Sequence, residues 1–149
     1  TGSGAGVRVL AAGGPGLDLL GLLEGAQGAY GVILEAFWKG DKDTMSKRTD
    51  DAVYASFAGA IDAREAAGET LDNRLIRIED ATVRSAELDG RTARIAVLFV
   101  ADIAAVTRDS DGTVIAGSLD DAVESRDGWT FSRHVGASNP NWVLDQPAR

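Results

Sequence analysis

Between Leu23 and Asp41 the apolar positions Ala26, Ala29, Tyr30, Ile33, Leu34 and Phe37 recur at the spacing of one helix face. Gly40 is placed to end that helix in the left-handed conformation, and Asp41 to cap the next turn with its carboxylate. Upstream, Leu17–Leu23 carries five leucines and one charge, Asp18, and reads as a short helix leading into the long one. A second short helix is expected over Lys42–Lys47. A third, Asp50–Ala67, is capped by Thr49, Asp50 or Asp51, turns Val53, Tyr54, Phe57, Ala58 and Ile61 to one side, and stops at Gly68.

From Thr70 the period changes from 3.6 to 2. Leu71–Leu88 reads as one long strand with Ile76 and Ile78 on one face and Ala81 and Val83 on the other parity. The phase switch near Glu79-Asp80 predicts a β-bulge. Asp89-Gly90 is a hairpin turn. The strand after it, Arg91–Arg108, sets Ile95, Val97, Phe99 and Ile103 on one side. A further turn falls at Asp109-Ser110-Asp111-Gly112, a third strand at 121–134 with Trp129 and Phe131, and a fourth at Asn141–Asp145 after Asn139-Pro140. Helices first and antiparallel strands afterwards make an α+β domain.

With 149 residues, 44% hydrophobic and 26% charged, the chain is one globular domain. Its net charge of -8 and scattered basic residues exclude a nucleic-acid partner, which would need a clustered basic surface. The same charge opposes electrostatic attraction to anionic lipid. No cysteine is present, so neither disulfides nor thiolate chemistry enter. No stretch reaches the ~20 apolar residues that cross a bilayer. Three lysines against twelve arginines suggest a GC-rich coding sequence and so a bacterial source.

Candidate chemistry is sparse. Asp109-x-Asp111-Gly112 resembles a calcium loop, but that loop needs oxygen ligands at positions 1, 3 and 5 with glycine at 6, and here Gly112 falls at position 4. It reads as a turn, and no metal site is assigned. His134, the only histidine, excludes multi-histidine zinc sites and reads as structural. Asp102, between Ala101 and Ile103 in an apolar strand, is the one carboxylate that burial could turn into a base, with Tyr30 or Tyr54 as hydrogen-bond donor. That enzyme or ligand-carrier alternative competes with a plain pairing of Asp102 to an arginine on a neighbouring strand. Phe57, Phe99 and Phe131 are core candidates, whereas Trp38 and Trp129, beside Lys39 and Gly128, are candidates for a cavity mouth.

The string LLEGAQGAYGVILEAFWKGD, with Thr44-Met45, Val53-Tyr54-x-x-Phe57, Ala67-Gly68-Glu69-Thr70-Leu71, Ala86-Glu87-Leu88-Asp89-Gly90-Arg91-Thr92-Ala93, Trp129-Thr130-Phe131-Ser132-Arg133 and Asn139-Pro140-Asn141-Trp142, resembles a known family. That family is the C-terminal domain of the 44-kilodalton subunit of the mitochondrial inner-membrane translocase, with its bacterial relatives. The likeness covers residues 17–146, leaving 1–16 as a flexible Gly-rich leader and 147–149 as a tail. Met45-Ser46-Lys47-Arg48 departs from the leucine-rich sequence usual in the family.

The resemblance implies N-terminal helices packed on a strongly curved antiparallel sheet of about four strands, a cone with an apolar cavity of the nuclear-transport-factor-2-like kind. It implies a non-catalytic, membrane-associated adaptor without a cofactor. Its partners would be proteins at the inner membrane, with a lipid or apolar ligand as a further candidate for the cavity. Tyr30, Trp38, Tyr54 and Trp129 are the expected binding residues, and Leu19, Leu20, Leu22 and Leu23 the expected membrane contact. The expected location is the cytoplasmic face of a bacterial inner membrane, or the matrix face of a mitochondrial one. Because bacterial members carry a membrane segment ahead of the domain and this chain opens at Thr-Gly-Ser-Gly, it is read as a trimmed or processed piece. A mitochondrial ribosomal relative is disfavoured by the acidic charge.

The spacing argument at Asp109 and Asp111 has a direct check. Thermal melts in millimolar calcium and in chelator should coincide, whereas calcium at ~100 times its dissociation constant would add roughly 2.7 kcal/mol to a protein that binds it.

Overall fold

The computed structural model describes residues 19–134, 136 and 142–145, without the side chains of Leu19 and Leu20. The expected leader, Leu17, the Asn139-Pro140 turn and the tail lie outside these residues.

Helix α1, Leu19–Lys39, is continuous, so the expected short helix and the long one are a single element. Its inward stripe buries Leu22, Ala26, Ala29, Tyr30, Ile33 and Ala36. A Cβ at Gly25 would come within 2.9 Å of the Trp142 indole, so only glycine lets that ring lie against the helix. The end of α1 is a Schellman cap: Asp41 N–H donates to Ala36 C=O at 2.8 Å and Gly40 N–H to Phe37 C=O at 3.2 Å. Gly40 has the positive φ, 74°, that this cap requires. Helix α2, Lys42–Arg48, is capped by Asp41, which accepts from Thr44 N–H at 3.1 Å. Met45 stands where the family is leucine-rich and is the buried anchor of α2.

Helix α3, Asp51–Ala66, is capped by Asp50, whose side chain accepts from Val53 N–H. It ends in a second Schellman cap at Gly68. Arg64 ties α3 to α1: its guanidinium donates to the carbonyls of Phe37 and Trp38 in the last turn of α1, at 2.9 and 3.3 Å, and lies over the Phe37 ring.

The strands form two antiparallel sheets. The larger has the order β2-β3-β6-β7, from Arg74–Asp89, Thr92–Ala104, Val123–His134 and Val143–Asp145. The smaller has the order β1-β4-β5, from Thr70–Leu71, Val106–Arg108 and Val114–Gly117. Curled strands against helices make this an α+β fold of the nuclear-transport-factor-2-like kind, as the resemblance implied.

Leu71 falls in β1 of the smaller sheet, so the long strand expected from Leu71 starts at Arg74, and three further features depart from the strand pattern expected. β2 has three register shifts against β3, between Leu75/Arg77, Ile78/Asp80 and Val83/Ser85, of which the second is the bulge expected near Glu79-Asp80. The first separates Ile76 from Ile78: Ile78 packs on the core with Leu75, while Ile76 is 53% exposed. Arg91–Arg108 is also not one strand. It breaks at Ala105 and passes from the larger sheet to the smaller, with Val106 N–H donating to the Asn73 side chain at 3.0 Å across the break. β5, the third departure, pairs with β4 across the Asp109 turn, where Asp109 Oδ1 accepts from the N–H groups of Asp111 and Thr113 at 2.9 and 3.0 Å.

The concave face of the larger sheet presents Ala93, Ile95, Val97, Phe99 and Ala101 from β3 and Phe131 from β6, all buried against α1. β7 is fastened to the α2–α3 link by Asp50 N–H donating to Leu144 C=O at 2.9 Å.

Two glycines separate close approach from mere tolerance. At Gly117, φ is 80° and a Cβ would fall 1.8 Å from Ala105 O, so Gly117→Ala should cost at least about 2 kcal/mol. Gly59, inside α3 with nothing within 4 Å of an added Cβ, should gain up to about 1 kcal/mol on Gly59→Ala. Urea midpoints of the two variants check both signs.

Candidate functional site

Tyr30 reaches the middle of the concave face and is fully buried. Its ring stacks on Phe99 of β3, with centroids 4.1 Å apart and 14° between planes, and meets Trp129 of β6 edge-on at 4.7 Å. Trp129 in turn lies 6.0 Å from Phe131. A polar group is set into this apolar surface: Tyr30 OH donates to Asp127 Oδ2 at 3.3 Å, and Ser125 Oγ donates to the same oxygen at 3.0 Å. Burial, with the Asp127 carboxylate beside it, pushes the Tyr30 phenol well above its ordinary value of 10.0. Asp127 was missed in the sequence. Its signal was parity, because 127, 129 and 131 point the same way and one of them is a carboxylate on the inward face.

Beside this cluster lies a cleft of about 190 Å³, bounded by Val53, Ser56 and Phe57 of α3, Gly128, Trp129 and Thr130 of β6, and Leu144 and Asp145 of β7. Successive strand residues point to opposite faces, so a cleft touching Gly128, Trp129 and Thr130 together opens on the edge of β6. Its rim is acidic. Asp145 Oδ2 accepts from Arg94 Nε at 3.1 Å, and burial together with the neighbouring Asp50 carboxylate raises its pKa despite that arginine.

The four expected binding residues do not converge. Tyr30 and Trp129 touch, with Tyr30 closed off beneath the cluster and Trp129 forming the cleft floor. Phe57 packs on the core as expected, with its ring 5.1 Å from Phe37, and also forms a cleft wall. Tyr54 is half-buried and packs on the core. Trp38 is 9% exposed rather than at a mouth, and borders a separate surface depression with Gly31, Asn73, Arg74 and Leu75. Leu22 is buried and Leu23 packs on the core, so the domain's own packing occupies both; the side chains of Leu19 and Leu20 lie outside the described residues. Asp102 is on the convex face, where Arg77 of β2 donates to it at 3.0 Å. It is paired with an arginine of the neighbouring strand rather than lone and buried.

A family model described as Tim44-like domain matches residues 3–148. The chain belongs to the Tim44-like domain family. No curated protein sequence matches this Tim44-like domain. Among solved structures it is similar to the intermembrane space region of the chloroplast protein ARC6, at 13% identity over 89% of this chain and 95% of that one, with a TM-score of 0.47. Family membership relates the Tim44-like domain to translocation at membranes. Among its described residues no helix is long and apolar enough to cross one.

The Tyr30 hydroxyl ties the helix to the sheet, which sets the sign of its pH dependence. Because the folded-state pKa is raised, the contribution is intact below pH 10 and is lost as pH climbs beyond it. Tyr30→Phe should therefore lose about 1 kcal/mol at neutral pH and show a flatter fall of stability than the parent between about pH 10 and 12. Urea unfolding across that range measures both.

Proposed function

We propose that this Tim44-like domain is a non-catalytic, peripheral adaptor at the inner membrane, on the cytoplasmic face in a bacterium, that recruits protein partners. The edge-facing cleft between α3 and β6 carries the proposal. At about 190 Å³ it is smaller than the ~300–1,000 Å³ of pockets that enclose a drug-sized molecule, and it suits one or two apolar side chains better than a lipid. Trp129 and Phe57 supply a flat aromatic floor and wall, the kind of surface that anchors protein contacts. A substrate would find little to react with. Asp102 is held by Arg77, and Tyr30, Asp127 and Ser125 satisfy one another beneath the rings.

The test places a photo-crosslinking amino acid at Ser56, an exposed cleft residue, in membranes of the source cell. Adducts with discrete polypeptides, lost when Val53→Trp fills the cleft, are the expected result. Adducts with lipid alone would replace the protein adaptor by a lipid carrier.

A further inference from the structure

A depression of about 420 Å³ lies between the C-terminal half of α1 and the start of β2, and shares no residue with the cleft beside Trp129. Gly31, Glu35 and Trp38 form its helix wall at i, i+4 and i+7, and Asn73, Arg74 and Leu75, where β1 passes into β2, form the other. All six belong to the continuous described stretch 19–134. The volume falls within the ~300–1,000 Å³ of pockets that hold small molecules, a range the cleft does not reach. Gly31 helps to keep it open. Glycine inside a helix costs about 1 kcal/mol relative to alanine, yet an added Cβ at Gly31 would meet only Leu75 Cδ2, at an ordinary 3.9 Å, and its φ is not positive. Neither backbone conformation nor close packing demands glycine there, whereas a longer side chain would fill the depression.

The polar groups on these walls are uncommitted. Among the described residues nothing pairs with the Arg74 guanidinium. Asn73 Oδ1 accepts from Val106 N–H at 3.0 Å, which fixes the carboxamide and leaves Nδ2 as a donor. Trp38 is 9% exposed, and no described residue accepts from its indole N–H. Since no described buried side-chain nitrogen lacks a partner, that N–H lies in the part of the ring left uncovered. Glu35, on the helix wall, is 64% exposed and has Lys39 at 4.0 Å as its ion pair, an arrangement that holds it only weakly.

These groups select the ligand. Arg74, Asn73 Nδ2 and Trp38 Nε1 are donors and suit a carboxylate, whose two oxygens match the guanidinium fork. Glu35 on the facing wall opposes a bare anion and suits an ammonium. A small molecule carrying both groups satisfies both walls and adds no net charge to a chain of -8. We propose that this depression binds a free α-amino acid with an uncharged side chain. Its carboxylate is held by Arg74 and Asn73, its ammonium by Glu35, and its side chain rests toward Leu75 and the Trp38 ring.

The test titrates the complete, isotope-labelled chain with glycine, L-leucine and L-glutamine in turn, each up to about 10 mM, and follows the backbone amides and the Trp38 indole N–H by NMR. At least one should shift the signals of Gly31, Glu35, Trp38 and 73–75 with a Kd below about 1 mM. The amide of that amino acid, which lacks the carboxylate, and the acid without its amino group should each bind about tenfold more weakly or worse, as should Arg74→Gln and Glu35→Gln with otherwise unchanged spectra. Gly31→Gln should abolish binding, and Arg84→Gln, at an exposed arginine farther along β2, should leave it intact. No shift of these signals at 10 mM, whether because the site does not bind or because the chain itself fills it, would overturn the proposal. Equal binding of the amide or of the deaminated acid, or undiminished binding by Arg74→Gln, would overturn it too. Tighter binding of phosphoethanolamine than of any amino acid would replace the amino acid by a lipid headgroup.

Discussion

The packing of the Tyr30 ring on Phe99 is the contact on which the rest of the domain depends. One side chain from the middle of α1 meets the central strand β3 face-on and β6 edge-on through Trp129, and its hydroxyl ends on Asp127. Burying a ring of this size removes roughly 150–250 Å² from water, and each favourable ring pair adds about 0.5–1.5 kcal/mol beyond that area. The helix can sit this deep only if the sheet curls round it.

That curl comes from β2. Each of its three register shifts adds local twist, so the strand bends about α1 and brings the inward residues Leu75, Ile78, Ala81, Val83, Ala86 and Leu88 onto one core despite their irregular spacing. Curvature also explains why the expected open cavity is largely filled. Tyr30, Phe99, Phe131 and Ile33 occupy the concave side with no exposure, and the cleft beside Trp129 lies at its rim. At that rim residues of α3, β6 and β7 meet around the cleft. Fold and proposed function thus share one cause: a sheet curled tightly enough to close its centre leaves its edge as the accessible surface.

Electrostatics follows the same division. Buried polar atoms are few and matched, as in Tyr30, Ser125 and Asp127, and none of the described buried side-chain nitrogen or oxygen atoms lacks a partner. The acidic excess lies outside, where exposed ion pairs such as Glu35–Lys39 contribute little to stability and the surplus carboxylates instead bias which partner can approach.

What the sequence by itself determined was local. The helix stripes, the Gly40 and Asp41 caps, the Asp89-Gly90 hairpin and the Asp109 turn depend on residues within a few positions of each other, so spacing and side-chain chemistry suffice to find them, while the structure chose Asp50 among Thr49, Asp50 and Asp51. The family likeness then supplied the curved α+β architecture, which no local pattern contains. Tertiary structure alone decided the rest. Alternation reports a face only within an unbroken strand, and each bulge resets the parity, which is why Ile76 and Ile78 part company. The break at Ala105, the pairing of β5 with β4, and the meeting of Asp102 with Arg77 all join residues that the chain keeps apart.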